Sequence, residues 1–446
     1  MKIIPTLALL AAMAMPTAAN AAEVVNQLGR DTEVCDVCLI YSGAARRPVW
    51  DVEHLTPYIT HEYSDGRRDW FYDAFLFNEF DWDGYVLANQ GAGQKPALQK
   101  HWIEYLDHFF EEGHDLPALD AAIEKFKEEL GEPRMRHKVI IGLAAPAKDG
   151  TGSSTVWKDI NWGSIDGTPM NFARKSHRQQ AANWFVDQVI DRFEKANFKN
   201  IDLAGFYWIE ESLYSNGDII SAINVHIHQK GYRAYWIPYW DNNDRYATEW
   251  KSLYRFDMAW RQPNYYFYDV NGSQLSLPPF SRLEEAIENS RKYGLGLELE
   301  FETQARNNGL HEVSEMFHQR LIDYIDEFER LGVWDDGGVA HYSGTQGFYH
   351  MHTSTDAVNH ATIDRLASLV AKRQEQFAGV EAPITDSLPF AYAGQGEIFI
   401  TSDAPNAVCY NTAGIAVHTG AGRFTCPPGL YIVTDGQGRS SKLIVK

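Results

Sequence analysis

The sequence predicts a (β/α)8 barrel of the TIM-barrel class, followed by a small antiparallel β module. Short β-like runs alternate with amphipathic segments over most of the 446 residues, which is typical of βα units around a parallel sheet. Eight runs favour a closed barrel over an open doubly wound sheet, whose usual glycine-rich phosphate loop is missing from Tyr41–Arg46. The predicted strands are Val37–Ser42, Trp70–Phe77, Lys138–Ala144, Leu203–Ile209, Arg233–Pro238, Met258–Gln262, Gly296–Phe301 and Gly338–Tyr342.

Amphipathic segments between these runs predict the helices. In Ala173–Ala196, apolar residues recur at helical spacing, as Ala181, Phe185 and Val189 illustrate. Two long connections after the second and third strands are expected to form walls or lids over the carboxyl end of the barrel. The other segments with helical periodicity are Ile219–Gln229, Leu283–Lys292, Val313–Leu331 and His360–Ala371.

The first 21 residues have the pattern of a secretory signal peptide. Lys2 supplies a positive charge, an apolar stretch runs from Leu7 to Met15, and Ala19-Asn20-Ala21 matches the small-residue cleavage pattern. The apolar stretch is too short to span a bilayer, so no membrane insertion is expected. We therefore expect a protein exported to the periplasm, the cell surface or the medium, with residues 22–378 forming the barrel.

A composition shift near residues 376–389 predicts a boundary, and residues 390–446 are assigned to a small β-sandwich-like module. Glycine-rich turns separate its short runs. The segments Gly429–Val433 and Lys442–Lys446 resemble the C-terminal sorting modules of some outer-membrane secretion systems, and that resemblance implies secretion machinery as a partner. An ordinary accessory β domain is the alternative.

Charge and composition restrict the partners. The formal net charge is −20, from 60 acidic and 40 basic residues, which argues against nucleic acid and anionic membranes as partners. Aromatic residues make up 13% of the chain, enough to supply both a core and surfaces that stack on sugar rings. A carbohydrate is therefore the expected partner.

Four cysteines lie in two pairs, Cys35 with Cys38 and Cys409 with Cys426. In an exported protein each pair could form a disulfide. A structural role or free thiols is favoured over a redox site, because Cys38 opens a strand and not a helix.

Acidic residues at the ends of the fourth and seventh predicted strands are the candidate catalytic groups. Glu210 and Glu211 follow the fourth strand, whereas Glu298, Glu300 and Glu302 alternate with apolar residues along the seventh. This period of two turns the seventh-strand glutamates into the barrel and the apolar side chains toward the helices. Carboxyl groups that share a partly buried cavity raise one another's pKa, so one can donate a proton while its neighbour is ionised. Glycoside hydrolysis uses such a pair.

Aromatic and amide side chains are expected to form a sugar-binding wall beside these carboxylates. Core packing is the alternative for the aromatics, and pairing with Arg233, Arg255 or Arg261 is the alternative for the acids. The substrate-binding candidates are Asp73, Glu79, Trp208, Trp236, Tyr239, Trp240, Gln262, Asn264, Tyr265, Glu302 and Tyr342.

No cofactor is expected. The sequence lacks a Walker loop, a dinucleotide loop, a G-x-S-x-G elbow and an H-E-x-x-H motif. A metal site built from His341, His350 and His352 is a minor alternative.

The segments Gly205–Glu211, Trp236–Tyr239, Gln262–Phe267 and Gly294–Phe301 resemble an uncharacterised bacterial family of secreted proteins. That family is a domain of unknown function with a glycosidase-like barrel, and the resemblance covers roughly residues 30–375. It implies the barrel fold and no settled activity. By a looser analogy, many retaining glycosidases place the acid/base after strand four and the nucleophile after strand seven. This chain departs from their pattern, since Ile209 and not Asn precedes Glu210.

These patterns predict a secreted glycoside hydrolase of the retaining type. Glu210 or Glu211 would be the general acid/base, with Glu210 slightly favoured, and Glu300 would be the nucleophile, with Glu298 and Glu302 as fallbacks. A non-catalytic glycan-binding barrel is the second hypothesis, and metal-assisted hydrolysis is the third.

Overall fold

Eight parallel strands close into a barrel, and the predicted (β/α)8 architecture is confirmed. Each strand pairs with its neighbours in chain order, and β1 pairs with both β2 and β8. The strands are β1 (Asp36–Tyr41), β2 (Ala74–Asn78), β3 (His137–Leu143), β4 (Ile201–Trp208), β5 (Arg233–Trp236), β6 (Met258–Arg261), β7 (Gly296–Glu300) and β8 (Val339–Tyr342).

The structure is a computed structural model. It describes residues 26–43, 47–88, 95–147, 161–213, 215–239, 248–268, 278–302, 311–344, 346–378, 390–393, 396–400, 404–435 and 440–445. The predicted signal peptide and Trp240 lie outside these ranges.

The second predicted strand is the one that differs most from the structure. It was expected to begin at Trp70, but β2 begins at Ala74. Arg68–Trp70 instead pairs antiparallel with Thr60–Glu62 in a separate two-stranded sheet. The prediction that Asp73 lies within a strand is therefore wrong, because Asp73 immediately precedes β2 at the amino end of the barrel.

Helices surround the barrel and follow the predicted periodicity. In α4, for example, Ala181, Phe185 and Val189 are all buried. The helices are α1 (Val52–Ile59), α2 (Gln99–His108), α3 (Asp115–Leu130), α4 (Lys175–Ala196), α5 (Gly217–Gln229), α6 (Ser281–Tyr293), α7 (His311–Arg330), α8 (Val333–Asp336), α9 (Gly347–His352) and α10 (Ala357–Ala378). Within the described residues, none of them is long and apolar enough to cross a membrane.

Excursions follow β2 and β3 at the carboxyl end of the barrel. After β2, short strands at Asp81–Trp82, Tyr85–Val86 and Lys95–Pro96 form a small sheet ahead of α2 and α3. After β3, Asn161–Ile165 and Thr168–Asn171 form an antiparallel pair. These excursions correspond to the two long connections predicted from the sequence.

Gly205 allows β4 to approach β5 closely. A Cβ atom at this position would lie 2.0 Å from the carbonyl oxygen of Arg233, a backbone atom that cannot move aside. The register of β4 against β3 also shifts between Leu203 and Gly205. Glycine is therefore required at this position of the barrel wall.

A buried ionic group closes the amino end. Asp36 at the start of β1 accepts hydrogen bonds from Arg373 of α10, one of them at 3.1 Å, and contacts His341 of β8 at 2.9 Å. The side chains of all three are fully buried. Burial raises the pKa of Asp36, but the charge of Arg373 and the hydrogen bonds to His341 and Arg373 outweigh burial and lower the pKa below its ordinary value.

A second, smaller core belongs to the C-terminal strands. They run at Ala391–Ala393, Glu397–Ile400, Val408–Asn411, Ala416–Thr419, Gly422–Thr425, Gly429–Thr434 and Ser440–Val445. They form a three-stranded and a four-stranded antiparallel sheet, as expected for a small β module. All four cysteines of the chain are free thiols in this structure.

Candidate active site

A cavity of about 430 Å³ opens at the carboxyl end of the barrel. Its lining comes from the ends of β1, β2, β4, β5, β6, β7 and β8, where the βα loops of this fold build binding sites. Three carboxylates line it: Glu211, Glu298 and Glu300. The other polar and aromatic lining side chains are Tyr41, Arg47, Phe80, Tyr239, Gln262, Asn264, Phe267 and Tyr342.

The alternation along β7 puts two of these acids in the cavity. Glu298 and Glu300 line it, whereas Leu297 and Leu299, which alternate with them, are fully buried in the apolar core. The period of two in the sequence therefore matches the observed faces of the strand. Glu298 is 2% exposed and Glu300 is 3% exposed, so both carboxyl groups are largely removed from bulk water.

Glu300 lies among groups that favour its ionised form. The hydroxyl of Tyr324, from α7, donates a hydrogen bond to Oε2 of Glu300, and the backbone N–H groups of Asn264 and Tyr265 face the same carboxylate. Asn264 has a φ of 51°, in the left-handed region that asparagine tolerates better than most residues. Burial raises the pKa of Glu300 to about 7, and these donors limit the rise.

Gln262 lies between the other two acids. Its Nε2 donates to Oε1 of Glu211 at 3.3 Å, and its side chain also hydrogen-bonds to Glu298. Burial raises the pKa of Glu211. Burial, followed by repulsion from Glu300 and Glu211, raises the pKa of Glu298 well above its ordinary value. The cluster therefore retains protons at a pH where exposed glutamates are ionised.

Glu210 lies outside the cavity lining. Both of its carboxylate oxygens accept hydrogen bonds from Nδ2 of Asn216, at 3.3 and 3.1 Å, and its carbonyl accepts a bond from the indole of Trp236. Its neighbour Glu211 lines the cavity instead. The structure therefore brings Glu211, and not the slightly favoured Glu210, to the cavity.

The predicted sugar-binding wall is only partly assembled. Tyr239, Gln262, Asn264 and Tyr342 line the cavity. Trp208, Trp236 and Tyr265 do not: they are 2%, 0% and 0% exposed and belong to the core. The phenol of Tyr265 donates to Asp323 at 2.7 Å, so its polar end faces a helix and not the cavity. Half-buried Glu302 lies at the rim, where it accepts a bond from Tyr342 at 3.3 Å.

Asp73, within the second predicted strand, and Glu79, in the loop that follows it, have separate environments. Asp73 lies at the amino end, opposite the cavity, and accepts the backbone N–H groups of Cys35 at 2.8 Å and Asp36 at 2.6 Å. The prediction that Asp73 binds substrate is therefore wrong. Its carboxylate instead links the start of β1 to the start of β2. Glu79 lies at the carboxyl end with a fully buried side chain and forms a two-point ion pair with Arg47.

Sequence reasoning missed Arg47, which Glu79 holds in the cavity wall and whose guanidinium lies 4.9 Å from the ring centroid of Tyr41. It follows β1 by several residues, and no motif marks it. Tyr41 and Phe80 were also missed, although both end barrel strands or follow them directly, which is a usable signal.

The histidine alternative is not supported by the geometry. His341 is fully buried against Asp36 at the amino end, His350 is exposed, and His352 lies near His61. Within the described ranges, the groups of side chains close enough to share a metal ion include none of His341, His350 and His352.

The fold and this cavity define a TIM-barrel protein with a carboxylate-lined carboxyl end. The chain belongs to the family described as domain of unknown function DUF4855, whose model matches residues 36–368, so the predicted family resemblance is confirmed. No curated protein shows significant sequence similarity to the chain.

Solved structures similar to this chain include glycoside hydrolases. An Anoxybacillus α-amylase is 12% identical, with a TM-score of 0.37, over 94% of this chain and 99% of that one. The intracellular xylanase TsXylA from Thermoanaerobacterium saccharolyticum is 9% identical, with a TM-score of 0.37, over 69% and 85%. The xylanase and α-amylase inhibitor protein XAIP-II from Scadoxus multiflorus is 16% identical, with a TM-score of 0.35, over 76% and 98%. Similarity at this level carries no inference about activity.

Proposed function

We propose that this protein is a glycoside hydrolase that cleaves a glycan with a pair of carboxyl groups, Glu211 and Glu300. The observation that carries the proposal is that these two side chains, from the ends of β4 and β7, line one cavity together with Glu298, and that all three carboxyl groups have raised pKa values. Two carboxyl groups from different strands, with different hydrogen-bond partners, are what separate acid and nucleophile roles require.

The environments of the two groups favour an assignment of roles. Glu300 accepts donors from Tyr324 and two backbone amides, which stabilise its anion and suit a nucleophile. Burial raises the pKa of both groups, and that of Glu300 to about 7, so the assignment rests on their hydrogen-bond partners: Glu211 has the neutral amide of Gln262 and is assigned as the proton donor. The pKa of Glu298 is raised well above its ordinary value. Protonated Glu298 can therefore lie beside ionised Glu300 without adding a second negative charge to the cavity.

The proposed reaction follows from these roles. Ionised Glu300 attacks the anomeric carbon and forms a glycosyl ester, while Glu211 transfers its proton to the leaving oxygen as the glycosidic bond breaks. Glu211, now a carboxylate, then removes a proton from water, and the resulting hydroxide displaces Glu300 from the anomeric carbon. The second step restores both groups to their starting states.

The remaining lining supports a carbohydrate substrate. Tyr239, Phe267 and Tyr342 offer aromatic faces, and Asn264 and Gln262 offer amides for hydroxyl groups. Arg47 also lines the cavity, where Glu79 holds its guanidinium in a two-point ion pair. As part of the same proposal, the signal-like residues 1–21 would direct export, and the glycan would lie outside the cytoplasm.

Hydrolysis of a panel of neutral and anionic glycans by the wild type, Glu211→Gln and Glu300→Gln tests the proposal. Exposed Glu288→Gln is the matched control. We expect wild-type and control hydrolysis of at least one glycan and a loss of about 100-fold or more in kcat for both cavity variants, each of which should still unfold in one cooperative thermal transition. Full activity in Glu300→Gln would exclude this mechanism, and glycan binding without hydrolysis by the wild type would establish the non-catalytic barrel instead.

A further inference from the structure

The turn between α2 and α3 gathers histidines and acids outside the cavity. α2 ends at His108 and α3 begins at Asp115, and the turn between them carries Glu111 and His114. Gly113 reverses the chain with a φ of 91°, which returns His114 toward His108, and their ring centroids lie 5.3 Å apart. The motif His-x-x-Glu-x-x-His-Asp is thereby folded into one cluster.

Three of these side chains offer donor atoms at ligand spacing. Oε2 of Glu111 lies 3.0 Å from Nε2 of His114 and 3.6 Å from Nδ1 of His108, and one donor atom from each residue lies within 4.8 Å of the others. A tetrahedral ion with ligands at about 2.1 Å separates its ligand atoms by about 3.4 Å. The cluster therefore needs little rearrangement to surround an ion.

Asp115 faces the opposite edges of both imidazole rings. Its Oδ2 lies 3.3 Å from Nε2 of His108 and 3.6 Å from Nδ1 of His114, and its side chain is fully buried. Among the described groups, neither this Oδ2 nor Nδ1 of His114 has a hydrogen bond of good geometry. In metal sites, a carboxylate in this position accepts the second N–H of the ligating histidines and fixes their orientation.

We propose that His108 Nδ1, Glu111 Oε2 and His114 Nε2 bind a divalent transition-metal ion of the Zn²⁺ type, with Asp115 as the positioning residue for both histidines. Imidazole nitrogens favour Zn²⁺ and its neighbours over Ca²⁺ and Mg²⁺, which require oxygen ligands. The exposed side chain of Glu111 leaves the site open to an ion from solvent.

The site would join the turn to the barrel. Oδ1 of Asp115 accepts a hydrogen bond from the hydroxyl of Ser42 at 2.7 Å, and Ser42 directly follows β1. Its neighbour Tyr41 lines the cavity. A bound ion would thus attach the α2–α3 turn to the strand end beside the cavity and stabilise the folded chain by mass action. This role is independent of the proposed hydrolysis.

Binding of ZnCl₂ to the full, tag-free, EDTA-treated protein tests the inference, by calorimetry, by Tm and by the visible spectrum of a Co²⁺ form. The variants are Glu111→Gln, His114→Gln and Asp115→Asn, and the matched controls are exposed Glu112→Gln and exposed His350→Gln. We expect one Zn²⁺ per chain, a Tm that rises with Zn²⁺ in the wild type and both controls, and no rise with CaCl₂ or MgCl₂.

Removing a ligand should raise the Kd for Zn²⁺ at least about tenfold in Glu111→Gln and His114→Gln, and losing the positioning carboxylate should raise it about 10- to 100-fold in Asp115→Asn. Glu111 is exposed, so its variant reports on binding even if Asp115→Asn folds poorly. No measurable Zn²⁺ binding by the wild type, or equal binding by wild type, Glu111→Gln and His114→Gln, would overturn the site.

Discussion

The hydroxyl of Tyr324 donates a hydrogen bond to Oε2 of Glu300, and both side chains are buried. Burial and the adjacent carboxylate raise the pKa of Tyr324 well above its ordinary value, so the phenol remains a donor. Because α7 supplies the donor and β7 the acceptor, a helix outside the barrel lowers the pKa of an acid that lines its interior.

Replacing this donor should shift the titration of Glu300. The titratable groups that face Glu300 are Glu298 on its own strand, Glu211 from β4 and Tyr324 from α7. A hydrogen bond to the carboxylate favours the ionised form, so Tyr324→Phe should raise the pKa of Glu300 above about 7. If ionised Glu300 is the nucleophile, the acid limb of the kcat/KM profile then moves to higher pH.

The control for this shift is Tyr410→Phe, in the C-terminal sheet. Carboxyl ¹³C NMR of labelled glutamate gives the same titration without a substrate. An unchanged pKa for Glu300 in Tyr324→Phe would show that the phenol does not stabilise its anion.

The consecutive residues Glu210 and Glu211 should differ sharply in their effect on catalysis. Glu211 lines the cavity, whereas Glu210 is bonded to Asn216. Glu211→Gln should lower kcat about 100- to 10,000-fold, and Glu210→Gln by less than about tenfold. With an aryl glycoside, whose phenol leaves without protonation, the Glu211→Gln loss in bond cleavage should be smaller than with a natural glycan. The reverse ranking of the two variants would return the acid/base role to Glu210.

Stability should depend on pH through the buried acids. The pKa of Glu300 is about 7 in the folded chain against an ordinary value of 4.5, so between these values the unfolded chain binds fewer protons. The free energy of unfolding therefore falls as pH rises from about 4.5 to 7, by up to about 3 kcal/mol from this group. Glu300→Gln should flatten that slope in urea unfolding at pH 5 and 7.5, and Glu288→Gln should keep it. Parallel slopes for wild type and Glu300→Gln would contradict the assignment.

The sequence contains the information for the barrel because its periodicities are local. Each of the eight predicted strands overlaps an observed strand, and the alternation of Glu298 and Glu300 with leucines predicted which residues enter the lumen. Alternation in the sequence predicts these positions because a barrel strand has one face toward the lumen and the other toward the helices.

Features that depend on where a strand ends could not be predicted from sequence periodicity. Glu210 and Glu211 are adjacent, so the choice between them depends on the path of the chain after Trp208. Trp236 was predicted to bind sugar but packs in the core. An indole ring suits a sugar-binding surface and an apolar core equally well, so its residue type does not distinguish them. The pairing of Arg47 with Glu79 joins residues 32 positions apart and leaves no periodic signal.

The buried pair of Asp36 and Arg373 should be a main determinant of barrel stability. Both side chains are fully buried, so Arg373→Met would leave the Asp36 carboxylate without its main counter-charge. We expect a loss of about 3–5 kcal/mol in the free energy of unfolding, measured by urea denaturation. Lys372→Met, at the adjacent and exposed position of α10, should cost less than about 1 kcal/mol, because its ion pair with Asp335 is in solvent.

A second substitution separates the lost charge from lost packing. If the cost of Arg373→Met comes from an unpaired buried carboxylate, Asp36→Asn in the same chain should recover part of it, because the amide carries no charge to desolvate. His341, at 2.9 Å from Asp36, can still hydrogen-bond to the amide oxygen. A double variant as unstable as the sum of the two single variants would instead assign the effect to the packing of Arg373 against Trp334, whose ring centroid lies 5.1 Å from the guanidinium.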